Sequence, residues 1–139
     1  MSPIAERLVH AVAIVLTLAL AVAALKYCQK RKATRARRLL SLEPGKVSIV
    51  YFYSQSCGVC RASQKPILDR LLREVGTDEL RLVAVDVLEQ TDVAREWGVT
   101  TVPSIYVIDS GGGVAHVNNG LTNERMLRRQ LQGTANAVA

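Results

Sequence analysis

Cys57, Gly58, Val59 and Cys60 form a Cys-x-x-Cys motif. Two thiols at that spacing can close a small ring with little backbone movement. The apolar run Val47-Ser48-Ile49-Val50-Tyr51-Phe52-Tyr53 precedes the motif, and a helical pattern over residues 61–75 follows it. A cysteine pair at a strand-to-helix junction suits thiol–disulfide exchange. The first cysteine there meets unpaired amide N–H groups and the positive end of a helix dipole, and both favour a thiolate. Two other uses of the pair stay open, a buried structural disulfide and half of a zinc site. Zinc needs four ligands, and only Cys28, His10 and His116 remain to complete a set. No metal and no cofactor is expected.

The elements around the motif follow from hydrophobic period and turn residues. The run over Val47–Tyr53 is nearly continuous in apolar residues, which predicts a strand buried on both faces. Residues 57–75 read as a helix ending at Gly76, with Ile67, Leu68, Leu71, Leu72 and Val75 on one face. Residues 80–87 predict a second buried strand, and residues 91–97 a short helix closed by Gly98. Residues 105–108 and 114–117 predict two strands joined through Asp109-Ser110-Gly111-Gly112-Gly113, a hairpin. A last helix is expected over residues 122–131, with Thr122 as its N-cap, and an unstructured tail from Gly133. The order β-α-β-α-β-β-α implies parallel pairing through right-handed crossovers, with the hairpin adding an antiparallel edge. The expected fold is α/β, a mixed four-stranded sheet with helices on both faces.

An extra element lies at the N-terminus. Val9 to Leu25 is apolar except for His10 and Thr17. Its seventeen residues would span roughly 26 Å as a helix, enough for a slightly thin bilayer. One transmembrane anchor is the reading adopted. A signal peptide cleaved after Ala21-Val22-Ala23 and a buried soluble helix are the alternatives. The expected organisation is an anchor over residues 1–26, a basic juxtamembrane linker over 27–46, and a folded domain over 47–139. Residues 35–42 read as a helical continuation.

The net charge of +6 belongs to one stretch. Lys26, Lys30, Arg31, Lys32, Arg35, Arg37 and Arg38 stand together with no acid among them, whereas residues 41–139 carry ten cations and eleven anions. A nucleic-acid-binding domain would spread its cations over a folded face, so no nucleic-acid partner is expected. Cations beside an apolar helix suit an anionic lipid surface. They also place that flank in the cytoplasm by the positive-inside rule. The folded domain is therefore expected on the cytoplasmic face, with export of the domain as the alternative. Cys28 is expected to be inert, with acylation or an inter-chain disulfide as alternatives.

Several stretches together resemble the thioredoxin-like family: Phe52 through Cys60, Pro66-Ile67-Leu68-Asp69, Val85-Asp86, Trp97-Gly98-Val99 through Val102-Pro103-Ser104, and Gly120. They cover roughly residues 47–132. The resemblance implies a thioredoxin-like fold, a cis peptide before Pro103, and a redox-active Cys57–Cys60 pair. By position, Cys57 at the helix cap is expected as nucleophile and Cys60, one turn inside, as resolving cysteine; Gly58, Val59, Val102, Pro103 and Ser104 are expected to line the substrate groove, with core packing as the alternative for Val59 and Val102. The partners implied are protein disulfides and a dithiol electron donor or acceptor. The departures are local. Ser56 stands where the family often has Trp, and Val59 where it often has Pro. Tyr51 stands where thioredoxin proper buries an acid. Pro66 comes one residue later than usual, which predicts a bulge in the helix. The family's first strand and helix are largely missing. The function expected is a membrane-tethered thiol–disulfide oxidoreductase that reduces protein disulfides. The alternatives are a thioredoxin-fold scaffold with a regulatory dithiol and an extracytoplasmic oxidoreductase.

Overall fold

The computed structural model describes residues 3–40, 42 and 44–136. The side chains of residues 3–6, 26, 28–39 and 136 lie outside that description, and with them Cys28 and the seven juxtamembrane cations. The chain divides into two units, residues 1–35 and 36–139. Helix α1 (Pro3–Leu39) begins in the first and ends in the second. Its segment Arg7–Leu25 has a mean hydropathy of 2.6 over 19 residues, with its side chains exposed. That segment is long and apolar enough to cross a membrane.

The second unit is built on a four-stranded sheet of order β2-β1-β3-β4. The strands are β1 (Val47–Tyr53), β2 (Leu80–Asp86), β3 (Ser104–Ile108) and β4 (Val114–Asn119). Strand β1 is central and buried from Ser48 to Phe52, as its nearly continuous apolar run predicts. Val50 and Phe52 face one way, into a cluster with Val85, Val93, Tyr106 and Ile108. Ile49 and Tyr51 face the other way, into a cluster with Leu68, Leu71, Ile105 and Leu127. Helix α3 (Thr91–Glu96) contributes Val93 to the first cluster. Helices α2 (Lys65–Val75) and α4 (Glu124–Asn136) contribute Leu68, Leu71 and Leu127 to the second. The helices thus cover both faces, as expected. Leu40 and Leu42, in the stretch expected to be linker, are also buried in the first cluster.

Several details depart from the sequence expectation. Strand β1 pairs parallel with β2, but β3 runs antiparallel to β1 as well as to β4. The register gives the reason. Asp86 and Ser104 pair with neighbouring residues of β1, Tyr53 and Phe52, so β3 starts at the end of the sheet where β2 stops. The six-residue α3 does not carry the chain back along the sheet. Strand β2 is an outer strand, so its middle is partly exposed instead of buried on both faces. Thr122 does not cap α4. Asn123 does, accepting from the Met126 N–H at 2.9 Å. Helix α4 also runs on to Asn136, through the stretch expected to be an unstructured tail. Buried Thr134 anchors that extension and donates to Gln130 O at 2.7 Å. Residues 137–139 of the expected tail lie outside the described residues.

The helical stretch after the motif contains the bulge that Pro66 predicts. Residues Cys60–Gln64 form a widened turn in which the Lys65 N–H bonds back to Cys60 O, five residues earlier. One extra residue is absorbed there. Proline brings no N–H and a bulky ring, which the first turn of α2 tolerates. The helix ends at Gly76, whose φ of +90° favours glycine.

Two buried tyrosines keep their hydroxyls bonded. Tyr51 donates to Cys60 O and Tyr106 to Trp97 O, each at 3.0 Å. Burial, then the nearby Tyr53 and Asp69, push the Tyr51 hydroxyl up from 10.0 to about 12, and burial raises Tyr106. The folded state therefore keeps protons that the unfolded chain loses first. The stabilisation is fully present below pH 10.0 and is lost as the pH rises towards about 12. The urea midpoint should fall between pH 9.5 and 11, and Tyr51→Phe should make that fall shallower. Equal slopes for the two proteins would contradict this assignment.

Candidate active site

Strand β1 ends at Tyr53, and a short loop turns the chain into the helix. The turn is closed locally. The Cys57 N–H donates to Ser54 O at 3.0 Å, and the Ser54 and Ser56 hydroxyls lie 2.8 Å apart. Cys57 then stands just before the first helical residues, where the amide N–H groups point outward.

Cys57 and Cys60 are joined by a disulfide, with their Cα atoms 5.3 Å apart. The two sulfurs are not equivalent. Cys57 is half-buried, whereas Cys60 is 1% exposed and belongs to the core. The Cys60 N–H points at Cys57 Sγ at 3.2 Å. An amide aimed at that sulfur favours negative charge on it. The Cys60 carbonyl accepts from both the Lys65 N–H and the Tyr51 hydroxyl. Tyr51 stands in the place of the family's buried acid. Its raised pKa of about 12 keeps it a proton donor near neutral pH.

The opposite wall comes from the loop before β3. The Val102–Pro103 peptide is cis, and Val102 O lies 4.0 Å from Cys57 Sγ. Pro103 is buried, and Val102 is half-buried. Gly58 and Val59 lie on the rim, Val59 50% exposed. Ser104 is fully buried. Its hydroxyl lies 2.7 Å from Thr101 O and 3.1 Å from Asn119 Oδ1, so its side chain braces the loop from beneath. The fold thus brings Cys57, Gly58, Val59, Cys60, Val102 and Pro103 to one end of the sheet.

Two neighbours of this site escaped the sequence reading. Leu121, 55% exposed, follows Gly120, whose N–H bonds to Pro103 O at 2.7 Å. A large apolar residue exposed just after a glycine, between strand and helix, was the available signal. Gln64 is fully buried behind Cys60 and pairs with Thr122. No spacing rule marks it, because its partner is 58 residues away.

The second unit also holds cavities. One of about 590 Å³ is lined by Val47, Val75, Leu80 and Leu131, where β1 and β2 begin, at the end of the sheet away from Cys57. A smaller one of about 150 Å³ reaches Cys60 between β1, β2 and α2, with Asp69 in its wall.

The comparisons with known proteins agree with this geometry. The thioredoxin family profile matches residues 32–132. A thioredoxin of Echinococcus granulosus is 30% identical over 95 residues, covering 68% of this chain and 84% of the relative. A thioredoxin of Bacillus subtilis is 34% identical over 65 residues, covering 47% of this chain and 61% of the relative. The X-ray structure of Fasciola hepatica thioredoxin superposes with a TM-score of 0.60 at 27% identity, over 73% of this chain and 93% of that one. A Cys-x-x-Cys disulfide at a helix start, a cis-proline loop beside it and the family match over most of the chain lead to one assignment. The chain belongs to the thioredoxin family and is a thiol–disulfide oxidoreductase.

Proposed function

We propose that this chain is a membrane-tethered reductase of protein disulfides, with Cys57 as nucleophile and Cys60 as resolving cysteine. The observation that carries the assignment of roles is the asymmetry of the pair. Cys57 stands half-buried beside Val102 O, and Cys60 is closed into the core one turn further on.

The exchange runs in two displacements. The Cys57 thiolate attacks one sulfur of the substrate disulfide. A Cys57–substrate bond forms, the substrate S–S bond breaks, and the second substrate sulfur leaves as a thiolate and takes up a proton. Cys60 then loses its proton and attacks Cys57 Sγ. The Cys57–Cys60 disulfide forms, and the first substrate sulfur is released as a thiol. Two electrons pass from the chain to the substrate, and an external dithiol restores the reduced pair.

Docking relies on main chain. An extended substrate segment adds as a short strand along Val102, the residue before cis-Pro103. Gly58 offers no side chain to obstruct it, and Val59 and Leu121 supply apolar contact. Pro103 holds the Val102 carbonyl in place, and Ser104 supports the loop from below.

The proposed organisation is an anchor over residues 1–26, a juxtamembrane stretch over 27–46 and the redox domain over 47–139. Lys26 through Arg38 adjoin the apolar segment and suit anionic lipid. Against one cation before the apolar run, seven follow it, which favours the redox domain on the cytoplasmic side. Cytoplasmic thiols are kept reduced, so the dithiol there acts as a reductant. The same apolar segment would also serve as a signal sequence.

The roles are tested by trapping. Cys60→Ser should accumulate mixed disulfides with substrate proteins, seen as bands that vanish on reduction, while Cys57→Ser should not. Equal trapping by the two variants would contradict the roles. The alternative of a non-catalytic scaffold predicts no insulin reduction above that of dithiothreitol alone.

Topology needs a separate readout. A membrane-impermeant maleimide should label Cys57 in lysed cells under reducing conditions and leave it unlabelled in intact cells. Ready labelling from outside would make the domain extracytoplasmic.

A further inference from the structure

The segment Gly120-Leu121-Thr122 is tied at both ends. At one end the Gly120 N–H donates to Pro103 O at 2.7 Å. At the other, the Thr122 N–H donates to Gln64 Oε1 at 2.7 Å and Gln64 Nε2 donates to Thr122 O at 3.2 Å. The Thr122 hydroxyl braces the segment internally by donating to Gly120 O at 3.2 Å. Gln64 is fully buried and closes the widened turn that starts at Cys60. A continuous run of hydrogen bonds therefore leads from the dithiol helix, through Gln64, Thr122 and Gly120, to cis-Pro103. Those are the two walls of the groove. Leu121 stands between the two ties, exposed.

The residue type fits this task. A primary amide carries a donor and an acceptor side by side, which lets it pair with both the N–H and the C=O of one residue. An apolar residue satisfies neither, and an ionised carboxylate cannot donate. Cys57 itself is held by other bonds, from its N–H to Ser54 O and from the Cys60 N–H to its sulfur. The clamp thus bears on the Pro103 loop, and it meets the reactive sulfur only through Val102 O, 4.0 Å from Cys57 Sγ.

We propose that Gln64 is a positioning residue for exchange with protein disulfides. It fixes the spacing between the dithiol helix and the Pro103 loop, and with it the place of Leu121. This rests on the oxidoreductase reading above and deepens it, since it separates recognition of an extended protein chain from the chemistry of the dithiol. Small misplacements of a docking wall are costly to a positioned reaction.

The test compares two substrates on the full chain. Insulin is the protein disulfide. 5,5′-Dithiobis(2-nitrobenzoate) is a small disulfide that spans no groove. Gln64→Met removes both bonds at similar volume. It should lower the ratio of kcat/KM for insulin to kcat/KM for the small disulfide by about fivefold or more, with the loss mainly in the KM for insulin. Partial unfolding lowers both rates together and leaves the ratio alone. A second variant leaves Gln64 intact: one glycine inserted between Leu121 and Thr122 loosens the tie, and surface loops tolerate such insertions. It should lower the ratio in the same direction, and it decides the matter if Gln64→Met does not fold. A wild-type ratio in either folded variant overturns the proposal. Failure of the wild-type chain to reduce insulin overturns the oxidoreductase reading beneath it, a result distinct from an altered ratio.

Discussion

Strand β1 is buried on both faces, and the position of the chemistry follows from that. A strand with core on each side cannot shift by one residue without turning its whole apolar set around. Val50 and Phe52 are locked into one cluster, and Ile49 and Tyr51 into the other. Pairing with β2 on one side and β3 on the other removes the remaining freedom. The end of β1 therefore delivers the cysteine loop to one fixed place. The antiparallel register with β3 sets Ser104 opposite Phe52, which brings the Pro103 loop to the same place.

The two cysteines inherit different environments from this arrangement. Tyr51 lies on the face of β1 that packs under the helix, and its hydroxyl seals the Cys60 carbonyl from below. Cys60 is drawn into the core with it. Cys57, three residues earlier, stays at the rim with an amide N–H on its sulfur. One sulfur at the rim backed by a second in the core is the asymmetry that sequential disulfide exchange needs.

What the sequence made legible depended on short-range physics. The β1 run, the helix after Cys57, its stop at Gly76 and the Asp109–Gly113 turn are all local patterns, and the structure shows each. The bulge at Cys60–Gln64 was legible through the family resemblance, because Pro66 lies one residue later than the family pattern places it. The cis peptide at Pro103 came from family resemblance, since no local rule requires it. The illegible features are long-range. The antiparallel β3, the burial of Leu40 and Leu42, and the pairing of Gln64 with Thr122 depend on partners distant in the chain. The cap on α4 failed for a smaller reason. Thr122 and Asn123 are adjacent capping types, and the Gln64 amide takes the Thr122 backbone, leaving Asn123 to close the helix.

Charge and hydropathy divide the chain as clearly as the contacts do. The cations concentrate beside an apolar helix that offers its side chains outward, while the redox unit is close to neutral. The proposed reductase role requires the Cys57–Cys60 pair to be a reversible couple of low potential. Its reduction potential tests this most directly. It is read by equilibrating the full chain with graded ratios of oxidised and reduced dithiothreitol or glutathione, then counting alkylated thiols by mass. The account predicts a single two-electron transition at about −270 mV, in the range of a cellular reductant. A transition at about −120 mV would mark an oxidant, and no transition at all would mean the disulfide is structural; either result contradicts the account.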